Sequence, residues 1–140
     1  MRNLNPKRKG GGFTLVELLV VIAIIGLLTG MLLISIRHIK AKARDAQRIS
    51  DISSVSTALT LYHNDFNAYP IYDGYITGND TLSLALKDAG TIRSVPTDPL
   101  NEGSYRYYYQ GTDGTDYYLE YYLETDSIYG KSRGRNYFVP

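Results

Sequence analysis

The sequence predicts an α+β protein in which one long N-terminal α-helix packs against a small head with a short second helix and an antiparallel β-sheet. Two observations predict this fold class. Apolar residues form an unbroken run at residues 13–36 and then recur at helical spacing as far as Phe66, with neither proline nor glycine in residues 31–63. Towards the C-terminus, tyrosine and leucine alternate with other side chains beside a glycine-containing turn, which is typical of paired strands.

The apolar run spans 24 residues and contains a single charged residue, Glu17. At about 1.5 Å per residue, a helix of this length measures about 36 Å, which is enough to cross a hydrocarbon core about 30 Å thick. Four basic residues and no acidic residue precede it, and basic residues favour the cytoplasmic side of a membrane. A secretory signal is a poorer match, because the small residues Gly10, Gly11 and Gly12 come before the apolar run instead of after it.

The letters GFTLVE at residues 12–17, between a basic leader and the apolar run, carry a family resemblance. This segment resembles the leader junction of the type IV pilins and the type II secretion pseudopilins. The resemblance implies that a prepilin peptidase in the membrane cuts between Gly12 and Phe13 and then methylates the new amine of Phe13. Residues 1–12 would be a leader peptide that the mature protein lacks.

Glu17 is an ionisable residue inside an apolar segment, where a carboxylate costs about 2.5 to 3.5 kcal/mol at mid-membrane and usually has a function. Cleavage after Gly12 would create a partner for it, the α-amino group of Phe13, which is largely cationic near neutral pH. The resemblance implies that Glu17 meets the Phe13 amine of a neighbouring subunit during filament assembly. The alternative is that Glu17 simply extends to the membrane interface.

Residues 13–36 form the transmembrane or filament-core half of the predicted helix, and residues 37–63 form its amphipathic half. Gly26 and Gly30 have the G-x-x-x-G spacing that lets apolar helices approach closely, although this signal is weak. The same glycines are the places where the helix would most easily unwind. In the second half, one face collects the apolar residues that should pack on the head: Ile49, Ile52, Val55, Leu59, Tyr62 and Phe66.

The charges are unevenly distributed along the chain. The whole sequence has 15 basic and 14 acidic residues, but residues 37–63 are net basic and residues 64–140 are net acidic. The sequence therefore predicts a basic collar, formed by Arg37, Lys40, Lys42, Arg44 and Arg48, between the membrane and an acidic head. Such a collar would bind anionic lipid before assembly. Because both flanks of the apolar run are basic, the family resemblance decides the orientation.

The head, residues 64–140, should begin with a loop at residues 63–80 and continue into a short helix. Asp80 or Asn79 would cap that helix, Leu82, Ala85, Leu86 and Ala89 would share one of its faces, and Gly90 would end it. The segments LYHNDFNAYP and VPTDP also resemble the region after the long helix in major pseudopilins and short pilins without disulfides.

Three strands are predicted in the rest of the head. Residues 105–110 and 117–124 flank a turn at residues 111–114, and residues 136–139 supply a third strand. In the second strand, Tyr117, Leu119, Tyr121 and Leu123 should face the long helix. Residues 125–135 are predicted to be an exposed loop. The chain has fourteen tyrosines, and a role in strand packing is the preferred explanation for them.

No enzyme is predicted, because the sequence has no cysteine, no histidine pair at metal-binding spacing and no phosphate-binding loop. No cofactor is predicted either. The resemblance implies that a structural calcium ion is found in major pseudopilins, but no residue of this chain can be assigned to it, and no run has EF-hand spacing. Oxygen ligands are present in head loops at Asp98, Asn101, Glu102, Asp113, Asp116 and Asp126.

The sequence therefore predicts a structural subunit of a type IV pilus-like helical filament. It would begin as a single-pass inner-membrane precursor with its head outside the cytoplasm. Its partners would be the prepilin peptidase, further copies of itself, an inner-membrane assembly platform with its ATPase, and the membrane. The final location would be an extracellular pilus or a periplasmic pseudopilus.

Two alternatives stay open at the level of the sequence. The first is a pseudopilin of a type II secretion pseudopilus, which shares the motifs quoted above. The second is a minor tip pilin that contacts DNA or a surface through Lys131, Arg133 and Arg135. Nucleic acid is the less favoured partner, because the head is net acidic and would repel it.

Overall fold

The computed structural model describes residues 12–140, including all side chains except those of residues 31–34. In chain order, the elements are α1 (Leu15–Phe66), β1 (Tyr72–Tyr75), α2 (Thr81–Asp88), β2 (Tyr108–Gly111), β3 (Tyr118–Leu123) and β4 (Gly134–Phe138). The predicted α+β, pilin-like fold class, with one long N-terminal helix and a small antiparallel head, is confirmed. Most of the predicted leader, residues 1–11, lies outside the described residues.

The chain divides into two compact units, residues 1–38 and residues 39–140. In the first unit, α1 carries an 18-residue window with a mean hydropathy of 2.8, and none of that window is buried within the chain. Leu15 and Val16, for example, are 79% and 67% exposed. Such a helix is long and apolar enough to cross a membrane, and its side chains require an apolar environment that this single chain does not supply.

The second unit contains the hydrophobic core, which forms between one face of α1 and the inner face of the sheet. Ile52, Val55 and Leu59 are almost completely buried, as the helical spacing predicts. Ile49 and Tyr62 are partly buried against the core. Phe66, by contrast, is 56% exposed, so the predicted apolar face is wrong at its last position. Phe66 is the last residue of α1 and stacks on the ring of Tyr62 instead of entering the core.

The sheet has four strands in the order β1-β2-β3-β4, and each neighbouring pair is antiparallel. The inner residues of β3 and the residue before it are buried as predicted: Tyr117, Leu119, Tyr121 and Leu123. Tyr117 contacts α1 directly, because its hydroxyl lies 3.1 Å from the Ser56 hydroxyl. The predicted face of β3 is therefore confirmed.

The strand boundaries differ from the predicted ones in two respects. The sequence places residues 63–80 in a loop, whereas residues 72–75 form the edge strand β1. Its sequence, YDGY, contains a glycine and shows no alternation of apolar residues. The strand therefore depends on pairing with β2 and on the hydrogen bond that the Tyr108 hydroxyl donates to Asp73. In addition, β2 begins at Tyr108 instead of residue 105, and β4 begins at Gly134, within the predicted loop of residues 125–135.

The short helix α2 agrees with its prediction. Asp80 is its N-cap and accepts a hydrogen bond from the Ser83 backbone N–H at 2.9 Å. Leu82 and Leu86 are fully buried in the core. Gly90 follows the helix with a φ of +71°, a left-handed conformation that glycine adopts without strain.

Four tyrosines in the head are buried: Tyr107, Tyr109, Tyr117 and Tyr121. The Tyr107 hydroxyl donates to Asp51 at 2.8 Å, and the Tyr109 hydroxyl donates to the Pro70 carbonyl at 2.7 Å. Burial raises the pKa of both phenols, so they stay protonated as donors. Tyr107 and Tyr109 therefore have a structural role, because each ring fills the core and each hydroxyl bonds to another segment of the chain.

Candidate functional site

The segment that precedes α1 is exposed. Gly12, Phe13 and Thr14 precede the helix, and Phe13 is 84% exposed. A Cβ atom added at Gly12 would meet no atom within 4 Å. A glycine in an exposed segment outside the helix gives an enzyme access to the backbone, as cleavage between Gly12 and Phe13 would require.

Thr14 and Glu17 form a reciprocal cap at the start of α1. The Glu17 carboxylate accepts hydrogen bonds from the Thr14 backbone N–H and hydroxyl, both at 2.9 Å, through the same oxygen, Oε2. In return, the Thr14 hydroxyl oxygen accepts the Glu17 backbone N–H at 3.2 Å. This is the capping-box arrangement, which satisfies two helix-terminal groups at once. The sequence prediction missed Thr14, although the T-x-x-E spacing was a usable signal.

The cap has two consequences for the position of the Glu17 carboxylate. It aligns the carboxylate with the positive end of the helix dipole, which stabilises negative charge there. It also holds the carboxylate close to Phe13, the residue whose amine would be freed by cleavage. Glu17 therefore already has a partner, Thr14, within its own chain. A contact with another subunit would add to the hydrogen bonds from Thr14 or replace them.

Gly26 and Gly30 both lie within α1, and a Cβ atom added at either would meet no atom within 4 Å. The helix is continuous through both positions, so this chain shows no unwinding there. Between them, the Thr29 hydroxyl donates to the Ile25 carbonyl at 2.7 Å. The role of these glycines in helix packing stays a prediction.

A cluster of charged side chains, which the sequence prediction missed, lies where α1 packs on the head. The guanidinium group of Arg48 is fully buried and contacts three carboxylates. Its Nε donates to Asp98 Oδ2 at 2.6 Å, and its Nη1 donates to Asp45 Oδ1 at 2.8 Å and to Glu124 Oε1 at 2.7 Å. Arg44 also binds Glu124 through its Nε at 2.7 Å. We refer to these five residues as the Arg48 cluster.

The cluster changes the interpretation of the basic collar. Arg44 and Arg48 do not extend to lipid, because both are paired with carboxylates of the head. Burial alone would lower the pKa of Arg48, but its hydrogen bonds to Asp98 and Glu124 outweigh burial and raise it. The collar is thus reduced to Arg37, Lys40 and Lys42. A residue count could not show this, because charge patterns do not reveal which side chains turn inward.

Two of the three basic residues proposed to contact DNA have side-chain contacts within the head. Arg135 donates to the Tyr122 hydroxyl at 2.6 Å and pairs with Glu120 at 3.3 Å. The Lys131 ammonium lies 5.8 Å from the centre of the Tyr121 ring. Nearby, Arg133 lines an open crevice of about 560 Å³. Of these three residues, Arg135 is the one paired with a carboxylate among the described residues, so the net acidic charge of the head is the main argument against a nucleic-acid-binding tip.

Comparison with known proteins gives a consistent result. A family model described as the prokaryotic N-terminal methylation motif matches residues 7–33. The chain is similar to the type II secretion system core protein G of Aeromonas hydrophila, with 34% identity over 102 residues, 66% of this chain and 69% of the relative.

The chain is 31% identical to the Vibrio cholerae protein of the same name over 117 residues, which are 80% of each chain. For the Escherichia coli protein of that name, it is 33% over 111 residues, 79% of this chain and 72% of the relative. No solved structure matches the chain.

Proposed function

The chain belongs to the type IV pilin and type II secretion pseudopilin family, and from this premise we propose that it is a pseudopilin, a filament subunit of a type II secretion system. The family assignment also identifies it as a structural subunit and not an enzyme. The sequence alone favoured a type IV pilus-like filament and gave the secretion pseudopilus as the alternative. The relatives favour that alternative.

One observation favours a pseudopilin over a pilin within the family. The N-terminal motif is shared by pilins and pseudopilins, so a match confined to residues 7–33 would not separate them. The similarity to core protein G instead covers 102 to 117 residues and so extends well into the head. The likeness of this chain to secretion proteins therefore includes part of the head, which supports a secretion role.

In the proposed pathway, the precursor is held in the inner membrane by the apolar half of α1, with its head in the periplasm. The prepilin peptidase removes residues 1–12 and methylates the amine of Phe13. The mature subunit then leaves the lipid and joins a periplasmic filament, in which the apolar side chains of α1 pack against those of neighbouring copies. An assembly platform and its ATPase supply the energy, because a lipid-embedded helix of this hydropathy does not leave the bilayer unaided.

We expect Glu17 to set the axial position at which a new subunit joins the filament. Both bonds from Thr14 go to Oε2, and Oε1 has no hydrogen-bond partner among the residues that the structure describes. A neighbour's Phe13 amine can therefore bind Oε1 while the Thr14 cap stays in place. In a medium of low dielectric constant such an ion pair is strong, so it would favour one axial register over positions that leave the carboxylate unpaired.

The proposal can be tested in the native host by deleting the gene and measuring both the proteins in the culture medium and the surface filaments. Loss of specific exoproteins from the medium, with normal surface pili, is the expected result. Mass spectrometry of the wild-type envelope should detect an N-terminal peptide that begins at methylated Phe13. Normal secretion together with loss of surface pili would contradict the proposal and would indicate a pilus subunit instead.

A further inference from the structure

Three segments that are distant in sequence meet at Arg48. Asp45 belongs to α1, Asp98 lies in the loop after α2, and Glu124 directly follows β3. The Arg48 side chain has no exposed surface, and its Nη2 donates to Asp98 Oδ1 at 3.1 Å in addition to the three bonds described above. One face of the guanidinium group is covered by the Tyr105 ring, whose centre is 4.8 Å away. A single cation thus holds the loops of the head to the helix.

The carboxylates of the cluster also fix the backbone around them. Asp45 accepts the backbone N–H groups of Glu124 and Thr125, both at 2.8 Å, and the Thr125 hydroxyl at 2.7 Å. Asp98 accepts the Leu100 N–H at 2.9 Å. The carboxylates therefore need a central positive charge in order to lie side by side without water. In other proteins, a structural calcium ion similarly holds several carboxylates and loops around one positive charge.

The rest of the head does not fit a calcium ion. Calcium takes six to eight oxygen ligands, several of them carboxylates. Of the candidate ligands, Asp98 is bound to Arg48, Asp113 accepts the Thr115 N–H at 2.9 Å, and Asp126 accepts the Arg133 N–H at 2.6 Å. Within the described part of the chain, no three His, Asp or Glu side chains are placed to hold a metal ion.

The loop between β3 and β4, which we call the C-terminal loop, adds to this misfit. Residues 124–133 contain two acidic residues, Glu124 and Asp126, and two basic residues, Lys131 and Arg133. The Glu124 carboxylate is bound to Arg44 and Arg48, so Asp126 is the one carboxylate of this loop that no arginine side chain binds among the described residues. One such carboxylate falls short of the several that a calcium ion takes.

We propose that Arg48 is the internal cation of this head and that the C-terminal loop is held without calcium. The guanidinium group makes the connection between α1, the loop at Asp98 and the end of β3. Because the cation is part of the chain, the head folds independently of the divalent-ion concentration around it. This inference rests on the geometry of the Arg48 cluster and not on the type of filament that the subunit forms.

The first experiment measures the unfolding of the full mature chain in detergent micelles by circular dichroism. The thermal midpoint is recorded with the chelator EGTA, with calcium and with magnesium. We expect the three midpoints to agree within about 2 °C, a small shift for a domain of this size. A midpoint that rises with calcium but not with magnesium, and falls in EGTA, would overturn the proposal.

The second experiment changes the proposed cation. Arg48→Ala leaves buried carboxylates unpaired, so its midpoint should fall by more than about 10 °C. Arg48→Lys keeps the charge but loses the bidentate bond to Asp98, and its midpoint should lie between those of Arg48→Ala and the wild type. The exposed Arg93→Ala is the matched control and should match the wild type.

Guanidinium ion added at low, non-denaturing concentration separates a cation role from simple cavity formation. It should raise the midpoint of Arg48→Ala more than an equal concentration of sodium chloride does, and it should not raise that of the wild type. If Arg48→Ala does not fold, the comparison of EGTA and calcium in the wild type still decides the question. A variant Arg48→Ala with the wild-type midpoint would refute the role of Arg48.

Discussion

At the scale of single residues, Glu17 shows how one side chain can serve two stages of the same process. The cap with Thr14 gives Oε2 of the carboxylate two hydrogen bonds within one chain, which lowers the cost of holding the charge in the apolar segment. The same cap places the charge beside the residue that cleavage turns into an N-terminus. In the assembly that we propose, Glu17 would be capped in the membrane precursor and would then bind the freed Phe13 amine of a processed neighbour.

We predict that Glu17→Ala leaves leader removal intact and abolishes filament assembly. In the proposed mechanism the peptidase acts on the open segment at Gly12 and Phe13, which does not include the carboxylate, whereas assembly depends on the ion pair. The measurement is the mass of the N-terminal peptide together with the amount of filament sheared from cells that overproduce the protein. Thr14→Ser, which keeps the capping hydroxyl, is the control. A normal yield of filament from Glu17→Ala would refute the assembly role.

Glu124 provides a prediction about pH. The hydrogen bond from Arg44, followed by that from Arg48, holds the pKa of Glu124 below its ordinary value despite partial burial. The unfolded chain therefore takes up a proton at this site at a higher pH than the folded chain does. The stability that Glu124 contributes is complete above its ordinary pKa and is lost as the pH falls through the lowered pKa of the folded state.

We therefore expect the free energy of unfolding to fall as the pH drops below about 5 and Glu124→Gln to reduce the slope of that fall. At neutral pH this variant should be less stable by about 2 kcal/mol, because it weakens hydrogen bonds to charged groups. Urea unfolding at a series of pH values measures both effects. The exposed Glu102→Gln should reproduce the wild-type slope. If the free energy of unfolding fell with pH equally steeply in wild type and Glu124→Gln, another carboxylate would be responsible for the loss of stability in acid.

At the scale of elements, α1 has two halves that differ in how they are stabilised. The half in the second unit is amphipathic and packs on the sheet through Ile52, Val55 and Leu59. The half in the first unit leaves the apolar side chains of its hydrophobic window unburied and gains its stability from lipid or from other copies.

Two leucines that are close in sequence test the packing of α1 on the sheet. Leu59 is fully buried in the core, whereas Leu61 is 46% exposed. Leu59→Ala should lower the free energy of unfolding by about 2 to 5 kcal/mol, because it removes buried apolar surface and leaves a cavity. Leu61→Ala should change it by less than about 1 kcal/mol. Chemical denaturation in detergent measures both values, and equal losses would contradict the assigned helix face.

Periodicity made α1, α2 and β3 predictable from the sequence, because each buries one regular face. It could not reveal β1, whose letters YDGY form a strand only because β2 offers a partner. Nor could it reveal the Arg48 cluster, since Asp45, Asp98 and Glu124 converge only after the chain has folded. Within the N-terminal site, Thr14 was predictable from local spacing, but an arginine that turns inward has no local signal.

At the scale of the whole molecule, the two units meet different physical requirements. The unit of residues 39–140 contains the buried core residues, the sheet and the Arg48 cluster. No residue in the apolar window of the unit at residues 1–38 is buried by this chain. The first unit is therefore adapted to partners outside the chain, and the second is adapted to fold by itself.

We predict that a chain that begins at Ile39 folds without detergent and keeps the structure of the head. The buried core residues all lie after Ile39, and the cluster that fixes the C-terminal loop begins with Arg44 and Asp45. A domain of about 100 residues buries enough surface to fold alone without disulfides. Only the first turn of the shortened helix should fray, because the side chains near Lys40 and Lys42 are partly or fully exposed.

Circular dichroism and hydrogen exchange measure this outcome. The truncated chain should unfold cooperatively, at a midpoint within about 5 °C of the full mature chain in detergent, and amides near Val55 and Leu59 should be the slowest to exchange. A chain from Ile39 that carries Arg48→Ala is the matched control and should lose this protection. If the truncated wild-type chain were unfolded, the apolar half of α1 would have to stabilise the head, and the separation into two independent units would be wrong.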